Sequence, residues 1–209
     1  MRTKRANDSL PGGIALVFSS RTSRLKITVD SMAEVTLTAP SRCPRERAVA
    51  FASEHSAWIE SRREKQREIL ERIAEEYKAH DKKSPFLGGW IAIEGASEPF
   101  YRARAKEFFT AECAALAKRL NRTVKTVTIR DQTSRYGSCS SKGALSFSFR
   151  IMKAPLFAAR YLAAHECSHL VHPNHSAAFW RCVENVCADY RSADRWIKQN
   201  SAFLRFDPQ

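Results

Sequence analysis

The period of the apolar positions changes several times along the chain, and each change marks an element. Leu25, Ile27 and Val29 alternate with polar residues, as do Val35, Leu37 and Ala39, with a polar stretch at 30–32 between the runs. A period of two places alternate side chains on opposite faces of an extended backbone, so the runs predict a β-hairpin, with residues 14–18 as a third strand. Pro44 then suits a helix start, Glu46 favours the positive end of the helix dipole, and Ala48, Phe51, Ala52, His55, Trp58 and Ile59 recur at helical spacing. Nothing breaks the helix before residue 78. Beyond Glu60 its apolar face gives way to mixed charge, as expected of a solvated stretch with pairs such as Glu68 and Arg72, and His80 caps its end.

Residues 81–99 carry Pro85, Gly88, Gly89, Gly95 and Pro99 and read as a loop with one strand at 90–93. A helix follows at 99–120, with Phe108, Phe109, Ala115 and Leu116 as core contacts. Strands are predicted at 124–130 and at 145–151, where Leu145, Phe147, Phe149 and Ile151 alternate without interruption. The Ser- and Gly-rich stretch between them, 131–143, is long for a connection of two strands, and such loops tend to carry function. Pro155 opens another helix with Leu156, Tyr161 and Leu162 on its buried side. Ser176 or Asn174 caps the next, whose Phe179, Trp180, Val183, Val186 and Cys187 are spaced three to four apart. A last helical piece covers 193–198, and Phe203, Leu204 and Phe206 return the tail to the body. The pattern describes an α+β chain in three parts: a flexible lead-in at 1–13, a hairpin with a long helix at 14–83, and a second domain at 84–209.

Composition narrows the class. The 209 residues are 44% hydrophobic, enough for a sizeable core, and no run of eighteen apolar residues suggests a membrane span. The apolar stretch at 14–18 is too short for a secretory signal, which points to a cytoplasmic protein. Six cysteines form no Cys-x-x-Cys pair, so buried reduced thiols are expected rather than a zinc ribbon or a redox motif. The net charge of +13 is concentrated: residues 100–160 hold 13 Lys/Arg against 3 Asp/Glu, whereas 161–209 hold 5 against 5. A field of this kind attracts nucleic acid, nucleotides or acidic peptides, or simply keeps a basic surface solvated. Nothing in the pattern sets an oligomeric state.

The most specific chemistry lies at His165-Glu166-Cys167-Ser168-His169. Positions i and i+4 of a helix share a face, so both imidazoles can reach one metal ion, and the intervening glutamate can deprotonate a water on that ion. Catalytic zinc takes three protein ligands, and four of the six histidines of the chain crowd into residues 165–175. Pro173 pushes the residue before it out of the helical region, so the helix is expected to stop at Val171 or His172. His175 follows the turn and can fold back as third ligand, with His172 as the alternative. In the 131–143 loop, Arg135 and Tyr136 are candidate donors to an oxyanion.

From Thr133 onward the sequence resembles the YgjP-like metallopeptidase family, a zincin-like group related to the SprT-like and WLM proteases. The matching words are Ser134-Arg135-Tyr136-Gly137-Ser138-Cys139-Ser140, Ala154-Pro155, Tyr161, His165-Glu166-x-x-His169 and Asn174-His175-Ser176-x-x-Phe179-Trp180. The resemblance implies His175 as third ligand and a zincin-like core, its active-site helix lying beside a small antiparallel sheet with 145–151 as the flanking strand. Tyr136 stands where a tryptophan is common, and Cys167-Ser168 replaces a more apolar pair.

Three functions follow as expectations. The first is zinc-dependent hydrolysis of peptide or protein, with Zn²⁺ on His165, His169 and His175 and Glu166 as general base. The second keeps the metal and attacks a phosphoryl group of a nucleotide, with Arg135, Lys142, Arg150 or Lys153 clamping phosphate. The third is a nucleic-acid-associated protease or binding module that uses the basic segment 100–160.

Overall fold

The computed structural model describes residues 8–92, 97–132 and 135–207. They divide into two compact units, Met1–Ala74 and Glu75–Gln209.

In the first unit, β3 (Lys26–Val29) and β4 (Val35–Pro40) form the expected antiparallel hairpin, Val29 opposite Val35. The third strand is β2 (Ile14–Ser19), parallel to β4. Part of the lead-in adds an edge strand, β1 (Asp8–Leu10), antiparallel to β2; residues 1–7 lie outside the described residues. One face of this sheet, with Leu16, Val35, Leu37 and Ala39, packs on Ala48, Ala52 and Ile59. The single helix read from the sequence is two: α1 (Arg45–Glu54) and α2 (Ser56–Ala79). His55 separates them because its Nδ1 donates to the Phe51 carbonyl at 2.9 Å, in place of continued helix geometry. At the far end His80 caps α2 through the Glu76 carbonyl, 2.9 Å, as its position suggested.

The second unit holds the metal motif. Residues 81–92 form a small hairpin, β5 (Ser84–Phe86) with β6 (Gly89–Ile91), where a loop with one strand was expected. Its turn has φ of 48° at Leu87 and 92° at Gly88, and a Cβ on Gly88 would lie 3.2 Å from the Cα of Pro155. The Leu87 amide donates to the Met152 carbonyl at 2.8 Å, so the turn braces the point where the motif helix begins.

Helix α3 (Glu98–Arg119) packs on a three-stranded sheet in the order β7 (Thr126–Arg130), β9 (Ala144–Ser148), β8 (Gly137–Cys139). The sheet is mixed: β7 is parallel to β9, and β8 is antiparallel to it. Strand β8 lies inside the stretch read as a loop. Strand β9 is shorter than its alternation suggested, because its partner β7 ends at Arg130 opposite Ser148 and leaves no ladder beyond. The chain tightens there into a 3-10 helix, Phe149–Lys153, which still buries Phe149 and Ile151. Phe109 of α3 stacks on Phe147 of β9 with ring centroids 3.9 Å apart, and both are fully buried. Each such side chain stabilises the fold by about 1.5–3 kcal/mol through its burial.

Helix α4 (Leu156–Ser168) runs into this core, followed by α5 (Ala177–Val186), α6 (Tyr190–Gln199) and α7 (Ser201–Arg205). Alanines at 158, 159, 163 and 164 are all buried in α4. They favour the helix and keep its surface narrow, so neighbours approach closely. The tail is tied down electrostatically: Arg150 donates to Asp131 and Asp207, each at 2.7 Å, and buried Lys153 donates to Asp207 at 2.7 Å. Among the described residues, no helix is long and apolar enough to cross a membrane.

Candidate metal centre

Helix α4 carries His165 and Glu166 on its last turns and ends sooner than expected, at Ser168, with His169 as its C-cap. Tight turns then carry the chain onward, the amides of Leu170 and Val171 donating to the Cys167 and Ser168 carbonyls at 3.0 Å each. Arg122, just past α3, donates to the Leu170 carbonyl at 3.3 Å and holds this corner. The chain then reverses into α5, whose N-cap is Ser176; its hydroxyl accepts from the Phe179 amide at 3.4 Å. His175 is the residue before the cap, and its ring stacks on Trp180 at 5.8 Å and 29°. A contact between the residue preceding an N-cap and the fourth residue of the helix fixes the angle of chain entry. That staple brings His175 back over α4.

His165, His169 and His175 are thereby gathered so that one ring nitrogen of each lies within 4.8 Å of the others. The Nε2 atoms of His165 and His175 are 3.1 Å apart. Two nitrogens on one tetrahedral zinc, each about 2.0–2.1 Å from it, are separated by about 3.3 Å, so this pair has the spacing of co-ligands. The tautomers agree. Nδ1 of His169 faces the His172 carbonyl at 3.0 Å, and a carbonyl only accepts, so the proton sits on Nδ1 and Nε2 is left with its lone pair. Burial, followed by the neighbouring imidazoles, lowers the His165 pKa to about 4, and burial with the His175 charge also lowers that of His169. Both are therefore neutral at pH 7, the form that binds a metal. His172, the alternative ligand, contributes its carbonyl rather than its ring. Phe179, fully buried, forms an apolar floor: its ring stacks on His169 at 4.4 Å and meets His165 and His175 edge-on at 5.0 and 4.8 Å.

Glu166 is 5% exposed. Burial pushes its pKa up to about 7, and the positive charge of Arg135 draws it partly back. Gly137 is the residue that makes room for it. A Cβ at that position would collide with Oε1 of Glu166 and stand 2.8 Å from both Cδ and Cγ. The edge strand β8 therefore runs along α4 with its glycine against the glutamate, a role the sequence did not disclose. The stretch around it read as a loop, so the rule that a glycine within a strand marks a close approach had no strand to act on.

The remaining candidates separate. Arg135 is exposed on the approach to β8, while Ser134 beside it lies outside the described residues. Tyr136 packs against the core, its hydroxyl donating to the Ser201 carbonyl at 3.4 Å, so its single proton is directed there. Lys142 is exposed at the turn joining β8 to β9. Arg150 and Lys153, read from the sequence as phosphate clamps, are instead bonded to Asp131 and Asp207. Among other cations of the basic segment, Arg102 and Arg119 donate to the carbonyls of Ile129 and Asn185 at 3.2 Å each, and Arg160 pairs at the surface with Glu112 at 3.2 Å. All six cysteines are free, and the neighbouring Cys167 thiol together with burial raises the pKa of buried Cys113.

A His-Glu-x-x-His helix whose two histidines meet a third from the following turn, set beside a small sheet, defines a metallopeptidase of the zincin-like class. A family model described as "YgjP-like, metallopeptidase domain" matches residues 23–99 and 92–200, and the chain belongs to that family. Among solved structures, the metallopeptidase zymogen of Pyrococcus abyssi abylysin is similar at 21% identity, over 44% of this chain and 93% of that chain, with a TM-score of 0.39. No curated protein matches the chain.

Proposed function

We propose that the protein is a zinc-dependent peptidase in which His165, His169 and His175 hold the metal and Glu166 is the general base. The observation that carries this reading is the convergence of three imidazoles on one point beside a buried carboxylate whose pKa stands near 7. Three imidazole nitrogens suit zinc, and a site with three protein ligands keeps a position for water or substrate. Zinc held by these residues would lower the pKa of its water to about 7 and polarise a carbonyl oxygen. Glu166 accepts the proton of the attacking water and passes it to the leaving amine, a task for which a pKa close to the working pH is well matched. Phe179 and the buried flank of α4 exclude bulk water from the ligand side. In this reading Arg135, exposed and with a charge that reaches Glu166, neutralises charge on the substrate, and Tyr136 supports the strand.

Membership of a peptidase family supports protein as the substrate. The sequestration of Arg150 and Lys153 counts against a phosphate clamp built from them. Incubating the zinc-loaded protein with unfolded casein and, separately, with nucleoside triphosphates tests the choice. Casein fragments with intact nucleotides are expected; phosphate release with intact casein would overturn the reading.

A further inference from the structure

The two histidines of α4 secure their tautomers in different ways, and the difference follows from where they sit. His169 is at the C-cap, where carbonyls of the following turn are free to accept, and it uses the His172 carbonyl. His165 lies within the helix, where backbone carbonyls are occupied by the helical ladder, so its Nδ1 needs a side-chain partner. That partner is Tyr161, one turn earlier on the same face, whose hydroxyl oxygen is 3.4 Å from Nδ1 of His165. The same hydroxyl donates to Oδ1 of Asp194 on α6 at 3.2 Å. A phenol has one proton. With that proton on the Asp194 carboxylate, the oxygen is left to accept from His165, so Nδ1 carries the hydrogen and Nε2 is bare.

We propose that Tyr161 and Asp194 form a relay that holds His165 in the Nδ1-protonated tautomer and presents its Nε2 to the metal. This rests on the metal-site reading above and extends it to two positioning residues on different helices. Tyr161 is 3% exposed, and burial together with the Asp194 charge keeps its phenol protonated and therefore a donor. Asp194 is also bonded to Lys198 at 2.6 Å, which holds the carboxylate from its solvent side without touching the histidine. The relay links α6 to the metal centre, although α6 supplies no ligand.

The test uses the full chain and two readouts that do not depend on hydrolysis. One is the side-chain ¹⁵N shifts of His165 in the metal-free protein, which report the tautomer; the other is zinc affinity by competition with a chromophoric chelator. Tyr161→Phe and Asp194→Ala are each expected to move His165 toward a mixture of tautomers and to weaken zinc binding about 10–100-fold, the usual effect of removing an outer partner of a ligating histidine. The double variant should bind no more weakly than Tyr161→Phe alone, because both act through one chain of bonds. The His169 shifts should stay where they are, and Lys198→Ala should stay within about twofold of the parent affinity. A pure Nδ1–H tautomer and unchanged affinity in both single variants would overturn the relay, as would additive losses in the double variant. If Tyr161→Phe does not fold, Asp194→Ala decides, since its side chain lies at the surface end. Failure of the parent protein to cut casein would remove the peptidase reading and leave these outcomes intact.

Discussion

At the scale of single residues, the site depends on what is missing as much as on what is present. Gly137 contributes only space, and that space is where Glu166 sits. Gly137→Ala is expected to displace the carboxylate and lower kcat about 100-fold while zinc content stays at the parent level, since a shift of about 1 Å in a catalytic group costs that much. Zinc analysis with steady-state kinetics on casein checks this; equal loss of metal and activity would mean that the glycine serves the fold instead. As the proposed base, Glu166 would work only when ionised. Its pKa near 7 belongs to the metal-free protein, and the charge of a bound divalent ion draws it lower. Arg135 acts in the same direction, so Arg135→Met should raise the pKa and move the acid limb of the kcat/KM profile to higher pH. An unmoved limb would place Arg135 outside the site. The His-Glu-x-x-His spacing was legible because helical periodicity puts those residues on one face from sequence alone. Gly137 and Asp194 were not, because each meets the site from an element distant in the chain, and local pattern carries no information on such meetings.

At the scale of elements, the position of the proposed third ligand depends on a helix start. Ser176 caps α5, and His175 is stapled to Trp180 just before it. Loss of the cap in Ser176→Ala should cost about 1 kcal/mol of stability and weaken zinc binding as His175 loses its fixed entry angle, whereas Trp180→Leu should weaken binding through the staple. Thermal unfolding and chelator competition measure the two effects. The C-terminal tail makes a separate prediction. Burial alone would raise the Asp207 pKa, but hydrogen bonds from Lys153 and Arg150 hold it below its ordinary 3.8. A carboxylate depressed in the folded state contributes stability above its unfolded pKa, and that contribution disappears as pH falls through the lower folded value. Asp207→Asn should therefore lower stability at pH 7 and make acid unfolding less steep below about pH 4. Chemical denaturation at pH 7 and pH 3 reads this directly. The sequence pattern placed most helices and strands. It missed the break at His55 and the end of β9, because a side chain taking a backbone carbonyl, and a partner strand running out, are tertiary events that periodicity does not register.

Across the whole molecule, three cations of the segment whose charge first suggested nucleic acid or nucleotide, Arg150, Lys153 and Arg160, are paired to carboxylates. Composition reports the number of charges and not their partners, so a surplus in sequence is a weak guide to an anionic ligand. What the second unit builds instead is a buried helix ending in a histidine triad, with an edge strand along its glutamate. The central claim is that this triad and glutamate hydrolyse peptides through zinc. Glu166→Gln tests it most directly, by zinc stoichiometry and casein cleavage measured on the same preparation. Zinc bound as in the parent, with cleavage reduced about 100-fold or more, is the expected result for loss of a general base. Full zinc and undiminished cleavage would contradict it.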